Sequence, residues 1–439
     1  MIKTLTSAFK NKDIRKKLLY TLMMLVVIRI GSLLPIPGVD TEYFSTLLSG
    51  FNSGDLSYLS AFTGGPFEKM SLFALSITPY ITSSIIMQLL TIAIPKLEEM
   101  QKEGEDGRKK IASITRYVTI GLSLIESIAM AVGFGRSGLI KDSAQLSTLH
   151  YVVCIIVVIA ALTAGSAVLM WLGERITEKG VGNGISIVLL INIISGMPSD
   201  FATLYSTFVA PKTPAKGVLA AVIILAILIV MVVLVCFLQD GERRIPVQYS
   251  QKVSGRRTVG GQSTNIPLKV NTAGVMPIIF ASSLMQFPVI IAQLFGKSYE
   301  WTRYLSSSYW CRVEAPKYSI GLLVYIVLLI IFAYFYTSIT FNPIEVADNL
   351  KKAGGVIPGI TPGKSTSDYL NNILNYIVFV GAVGLLIVAL IPIMCTGFFN
   401  ASVSFGGTSV IIIVGVVLET LKQIESQMVN RYYKGFLSE

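Results

Sequence analysis

The sequence predicts an all-α, polytopic membrane protein of ten transmembrane helices in two five-helix halves, entered by a re-entrant half-helix. Three observations carry this. The chain of 439 residues is 53% hydrophobic and only 14% charged, with a mean hydropathy of +0.67, whereas a soluble domain carries about a quarter charged residues. Ten apolar runs are each long enough, in helical form, for a bilayer that needs roughly 20 residues. A shorter segment, Asp55–Phe67, breaks at Gly64, Gly65 and Pro66 just before the run Met70–Ile94. A helix that enters and stops is tolerated only inside protein or against a watery cavity, so a cavity is implied.

In order, the runs lie near Leu18–Leu34, Met70–Ile94, Ile111–Val132, Tyr151–Leu172, Gly184–Phe208, Val218–Leu238, Val270–Phe295, Tyr318–Phe341, Asn375–Met394 and Phe405–Ile424. They divide the chain into an N-terminal tail (1–17), a first half (18–210), a second half (211–424) and a C-terminal tail (425–439). Five spans per half is an odd number, so a repeat between the halves is expected to be inverted. With the N-terminus inside, the cytoplasmic side holds 26 Lys/Arg and the external loops 9, with Arg29 inside the first span. Both termini are therefore expected in the cytoplasm. The first run lacks a small-residue cleavage site, so no cleavable signal peptide is expected.

Three segments assigned to the cytoplasm stand out. Residues 95–110 (PKLEEMQKEGEDGRKK) mix both signs of charge. Residues 239–269 are basic, with Arg243, Arg244, Lys252, Arg256, Arg257 and Lys269, and glycines at 255, 260 and 261 suit a protruding hairpin. Residues 342–372 carry Lys351, Lys352 and a turn-rich stretch, Gly354–Gly363. Ordering loops this long costs entropy, which points to function rather than mere connection. The net charge of +11 admits anionic lipid, nucleic acid or an acidic protein as the partner of such surfaces.

Chemistry inside the spans is sparse. Intramembrane ionisable residues mark coupled transport, and the candidates here are few, Arg29 and Glu126 foremost. Proton coupling is disfavoured. The single histidine, His150, and the spacing of Cys154, Cys236, Cys311 and Cys395 supply neither a metal site nor a disulfide framework, and neither HExxH nor GxSxG occurs. No cofactor and no enzymatic activity are expected. Gly180, Gly182 and Gly184 lack the lysine and preceding strand of a phosphate loop and read as a turn opening the fifth span. Gln88, Asn192, Asn271 and Gln286 can hydrogen-bond across helices. Ile77 and Ile81, four apart, share one helical face. Periodicity admits either plain packing or a hydrophobic constriction that closes by dewetting.

Long ordered motifs run through the chain: Ile28–Asp40, Ala74–Leu90, Ile94–Ile111, Met170–Ile187, Glu242–Lys252, Gly260–Ser283, Phe341–Gly363 and Ser404–Val416. Through them it resembles the SecY/Sec61 family of protein-conducting channels. The resemblance implies an hourglass with a plug and a lateral gate. It places Ile77, Ile81, Ile185, Leu189, Ile279 and Ile412 in a pore ring, and Asp55, Leu56, Leu59, Phe62, Gly64 and Gly65 in the plug. Thr82, Gln88, Asn271 and Phe287 fall at the lateral gate, between the second and third spans on one side and the seventh and eighth on the other. Arg243, Arg244, Arg256, Arg257, Lys351 and Lys352 fall on the docking surface for the ribosome or the SecA ATPase. SecE and SecG subunits, secretory preproteins with their signal sequences, and membrane lipid are the other implied partners, in a bacterial plasma membrane. One departure stands in the turn IPGITPG, where Thr361 replaces the family's usual arginine, removing a charge from the expected motor contact. The span count alone would also fit a secondary transporter with inverted repeats, which substrate-coupled solute uptake would reveal.

Overall fold

The computed structural model describes residues 9–50, 65–67, 69–135, 140, 147–210, 214–249, 252–254, 257–259, 263–294, 300–306, 309–312, 316–399 and 407–435. Every one of the ten apolar runs falls on a helix. The first half holds α1 (Lys12–Leu33), the short α2 (Thr41–Gly50), α3 (Thr78–Ala93), α4 (Pro95–Lys102), α5 (Glu105–Gly135), α6 (Thr148–Lys179) and α7 (Gly184–Leu204). The chain continues through α8 (Pro214–Asp240), α9 (Met276–Leu294), the short α10 (Glu300–Leu305), α11 (Ile320–Thr340), α12 (Pro343–Lys352), α13 (Lys364–Phe399) and α14 (Gly407–Gly435). By length and composition alone, six helices among the described residues can each cross a membrane, or seven with a bent pair counted as one span.

That bent pair is α3 and α4, which turn by 105° at Ile94. Pro95 opens α4, and the residue before a proline is driven out of helical backbone; Ile94 is accordingly extended (φ −112°, ψ 111°). The apolar run expected to be helical from Met70 onward starts late. Residues 70–77 form buried turns, with Met70 at φ +41° and Ser76 at φ +54°, and Pro79 sits in the first turn of α3. The turns are stitched to the strand-like exit of α1 by Ile36 N–H to the Met70 carbonyl (3.1 Å) and Leu72 N–H to the Leu34 carbonyl (2.9 Å). Non-helical backbone at this depth survives because protein covers it: Phe67, Met70, Phe73, Ala74 and Leu75 are all buried.

The helices also pass the predicted tail boundaries. α1 begins at Lys12 and α14 runs to Gly435. Ile14, Val181 and Ile424 are buried together, with Leu18 and Met428 against them, so an apolar stripe ties the two ends at one side of the bundle. The Gly180–Gly184 stretch is the turn that was expected. Gly182 takes φ +85°, and Asn183 caps α7 by accepting the Ile185 N–H at 3.1 Å.

Beyond the helices lies a small sheet the fold class does not include. β1 (Glu242–Tyr249) pairs antiparallel with β4 (Ser263–Lys269) from Glu242 to Gln248, giving the expected hairpin. Near its tip, β2 (Lys252–Ser254) pairs with β3 (Arg257–Val259). On the other edge of β1, Gln248 and Tyr249 pair with Val356 and Gly355 of the two-residue β5.

Helix contacts fall into two groups. α6 packs on α1, α5 and α7, and α5 also packs on α3; separately, α13 packs on α8, α11 and α14, α8 on α14, and α9 on α11. α7 meets α14 and α5 meets α9 across the two groups.

Candidate functional site

Where the groups meet, one apolar cluster draws side chains from both. Ile77 caps the N-terminus of α3, and Ile81 follows one turn later. Ile185 and Leu189 lie one turn apart on α7, Ile279 near the start of α9 and Ile412 near the start of α14. Ile77, Leu189, Ile279 and Ile412 are buried within the cluster, and Ile81 and Ile185 pack against it. All six expected constriction residues therefore belong to one apolar cluster, drawn from four helices, two in each group. Phe280 adds aromatic bulk, meeting Phe332 and Tyr336 edge-to-face at centroid distances of 5.7 and 6.1 Å.

Two glycines line this geometry: Gly173, which the sequence reading did not single out, and Gly184, which it read only as part of a turn. At Gly173 of α6, a Cβ would lie 3.5 Å from Ile185 Cγ1 and 3.7 Å from Ile77 Cδ1, so this glycine is the floor on which both isoleucines rest. A Cβ at Gly184 would land on the Gly173 carbonyl oxygen, so α6 and α7 approach to backbone contact at this point. The paired small residues Gly173 and Gly184 were the legible signal, since small residues let membrane helices approach closely. Ser76, directly before Ile77, accepts a hydrogen bond from Asn192 Nδ2 at 2.9 Å. Arg29 donates to Ser195 Oγ at 2.8 Å, so the first-span arginine turns inward to α7.

The expected gate residues are dispersed by comparison. The Thr82 hydroxyl donates to the Thr78 carbonyl of its own helix (3.1 Å). Gln88 Oε1 and Asn271 Nδ2 are buried without a hydrogen-bond partner among the described residues. Phe287 lies on α9, its side chain outside the described residues. Of the expected plug, Asp55, Leu56, Leu59, Phe62 and Gly64 lie outside the described residues; Gly65 follows them at φ +94°. The chain after it is anchored by Phe67, edge-on to Phe44 (6.0 Å), which in turn meets Phe134 (5.2 Å). Hydroxyl contacts knit the neighbouring helices: Ser83 and Thr119 lie 2.5 Å apart between α3 and α5, and Thr163 of α6 donates to Ser127 at 3.1 Å.

The two basic segments form one unit. Ile245 and Val247 of β1 are buried with Leu268, Leu350, Ile357, Leu370, Ile373 and Ile377, so the hairpin, α12 and the base of α13 share a core. Arg243 and Arg244 are exposed on β1, and Arg244 pairs with Glu242 (2.6 Å). Lys351 and Lys352 are exposed in the last turn of α12, where cations complement the helix dipole. Arg256 lies outside the described residues, and Arg257 opens β3 with its side chain outside them. Thr361 is exposed between Gly359 (φ +84°) and Gly363 (φ +107°), and its carbonyl accepts from the Thr366 hydroxyl at 2.9 Å.

Comparisons with known proteins bear on the family and the fold. The SecY family model matches residues 71–421. Curated relatives named "Protein translocase subunit SecY" include one from Streptomyces galbus, 43% identical with all of both chains covered, and one from Bacillus subtilis strain 168, 41% identical with the same coverage. Among solved structures, "The structure of a protein conducting channel" superposes with a TM-score of 0.62 at 18% identity, covering 94% of this chain and 93% of that one. "Sec61 in the Canine ribosome-channel complex from the endoplasmic reticulum" gives 0.60 at 16% identity, covering 94% and 93%.

Proposed function

The chain belongs to the SecY family, and from that premise we infer that it is the protein-conducting channel of the general secretory pathway. It passes unfolded preproteins across the membrane and releases sufficiently apolar segments sideways into the bilayer. The observation that carries this reading is the convergence of Ile77, Ile81, Ile185, Leu189, Ile279 and Ile412 from four helices into one cluster. An aliphatic waist excludes water when closed, so ions do not cross, yet it holds no fixed charge or hydrogen bond that an entering chain must break. The plug, residues 55–67, would cover this waist from the external side.

Lateral release requires two helix groups that part without stranding a charge in lipid. The meeting of α5 with α9 fits that role, with Thr82, Gln88, Asn271 and Phe287 along the seam. A segment that partitions favourably into hydrocarbon leaves through it, and a polar one continues across. The protein makes and breaks no covalent bonds; a partner supplies the driving energy. The joint unit of hairpin and α12 offers Arg243, Arg244, Arg256, Arg257, Lys351 and Lys352 to ribosomal RNA phosphates or to acidic patches of the SecA ATPase. Thr361 leaves the turn beside them without a cation, so this chain would lean on the hairpin for motor contact. SecE and SecG would complete the complex in a bacterial plasma membrane, with both termini cytoplasmic.

The test is reconstitution. Purified complex in liposomes, supplied with SecA and ATP or with translating ribosomes, should carry a secretory precursor into a protease-protected lumen. Ordinary closure to ions with no precursor import under either supply would refute the channel reading.

A further inference from the structure

The turn that delivers Ile77 to the waist is held from the side by a buried amide. Ser76 immediately precedes Ile77, is 1% exposed and sits at φ +54°, a region that L side chains rarely adopt. Its hydroxyl accepts from Asn192 Nδ2 at 2.9 Å. Asn192 is itself 2% exposed and lies three residues after Leu189, on the same face of α7. The helix backbone at this point is tied in turn: the Ser195 hydroxyl donates to the Asn192 carbonyl (2.8 Å) and accepts from Arg29 (2.8 Å). An unbroken run of hydrogen bonds thus joins α1, α7 and the turn. Asn192 Oδ1 is buried without a partner among the described residues. A half-satisfied buried amide is a poor contributor to bundle stability, so the bond that its nitrogen does make is what gives the residue a role.

We propose that Asn192 is a positioning residue for the constriction. Through the Ser76 hydroxyl it fixes the left-handed turn that presents Ile77, and so keeps the resting waist sealed. This rests on the reading of Ile77 as part of the waist.

Resting ion efflux from proteoliposomes holding the full complex tests it, with Ile81→Asn as the control for the waist. Asn192→Leu keeps the branched shape and the number of side-chain heavy atoms while removing the donor, and should raise resting efflux severalfold. Glycine holds positive φ without help, so in a Ser76→Gly background the Asn192→Leu change should add nothing. A sealed Asn192→Leu channel beside a leaky Ile81→Asn channel overturns the proposal alone. So does an Asn192→Leu leak of equal size in the Ser76→Gly background, because the effect would then bypass Ser76. A sealed Ile81→Asn channel overturns the waist reading and this proposal with it. Should Asn192→Leu fail to accumulate in the membrane, Ser76→Ala probes the same contact from its other end: efflux should rise, and a sealed Ser76→Ala channel beside a leaky control overturns the proposal.

Discussion

On the proposed reading, single side chains decide how well the waist closes. Ile81 and Ile412 contribute only aliphatic surface to the cluster, and an amide in either place gives water a foothold. Ile81→Asn and Ile412→Asn are each expected to raise resting ion leak and to admit precursors with weakened signal sequences. Efflux and import assays check this, and unchanged leak and selectivity in both variants would dissolve the ring. A second effect belongs to backbone contact. Because a Cβ at Gly184 would collide with the Gly173 carbonyl, Gly184→Ala must push α6 and α7 apart. Overpacking of that kind costs about 1–3 kcal/mol, so the variant should unfold at lower temperature in detergent and also leak, since Ile185 moves with α7.

At the scale of elements, the basic hairpin is held in place because its inner face is buried. Ile245 and Val247 alternate with exposed neighbours along β1, the signature of a strand with one covered face, and they share a core with α12 and α13. Val247→Asp places an unpaired carboxylate there at a cost on the order of a few kcal/mol. It should leave the spans intact while exposing residues 241–270 to limited proteolysis and weakening ribosome binding. The exposed cations act differently. Reversing charge at Arg243 and Lys351 together should lower affinity for the ribosome or SecA without changing proteolysis. The deficit should be greatest at low salt, where screening is weakest. Equal binding by parent and variant at low salt would remove this unit from the docking surface.

For the whole molecule, orientation governs everything that partners can reach. On the orientation that the cation bias predicts, the loop between the seventh and eighth spans lies outside, with Cys311 in it. Burial pushes the Cys311 thiol above its ordinary value, so the thiolate fraction at neutral pH is small and alkylation should quicken as pH rises. A membrane-impermeant maleimide added to intact cells is expected to label a variant that retains Cys311 as its single cysteine slowly at pH 7 and faster at pH 9, and the same variant with Cys311→Ser at neither. Labelling of Cys311 only after the membrane is broken would invert the topology and move the basic hairpin to the wrong side.

Much of this was legible in order along the chain. Hydrophobic runs placed every long helix, because a bilayer demands apolar length and leaves little freedom. Pro95 marked the 105° bend, since a proline restricts its predecessor wherever it stands. The glycines of 255–261 pointed to a hairpin. Other features had no linear signal. The non-helical turns at 70–77 are as apolar as a helix. Only their contact with Leu34 and Ile36 in the exit of α1, and with α6 at Gly165, lets that backbone settle outside a helix. The pairing of β1 with the two-residue β5 joins segments about a hundred residues apart. Asn192 was visible as a polar residue in a span, but its partner Ser76 was not. Local composition thus determined which segments cross and which face water, because transfer energies act residue by residue. Which side chains meet at the waist, and which amide braces it, was decided by packing, because those contacts exist only once distant helices have been brought together.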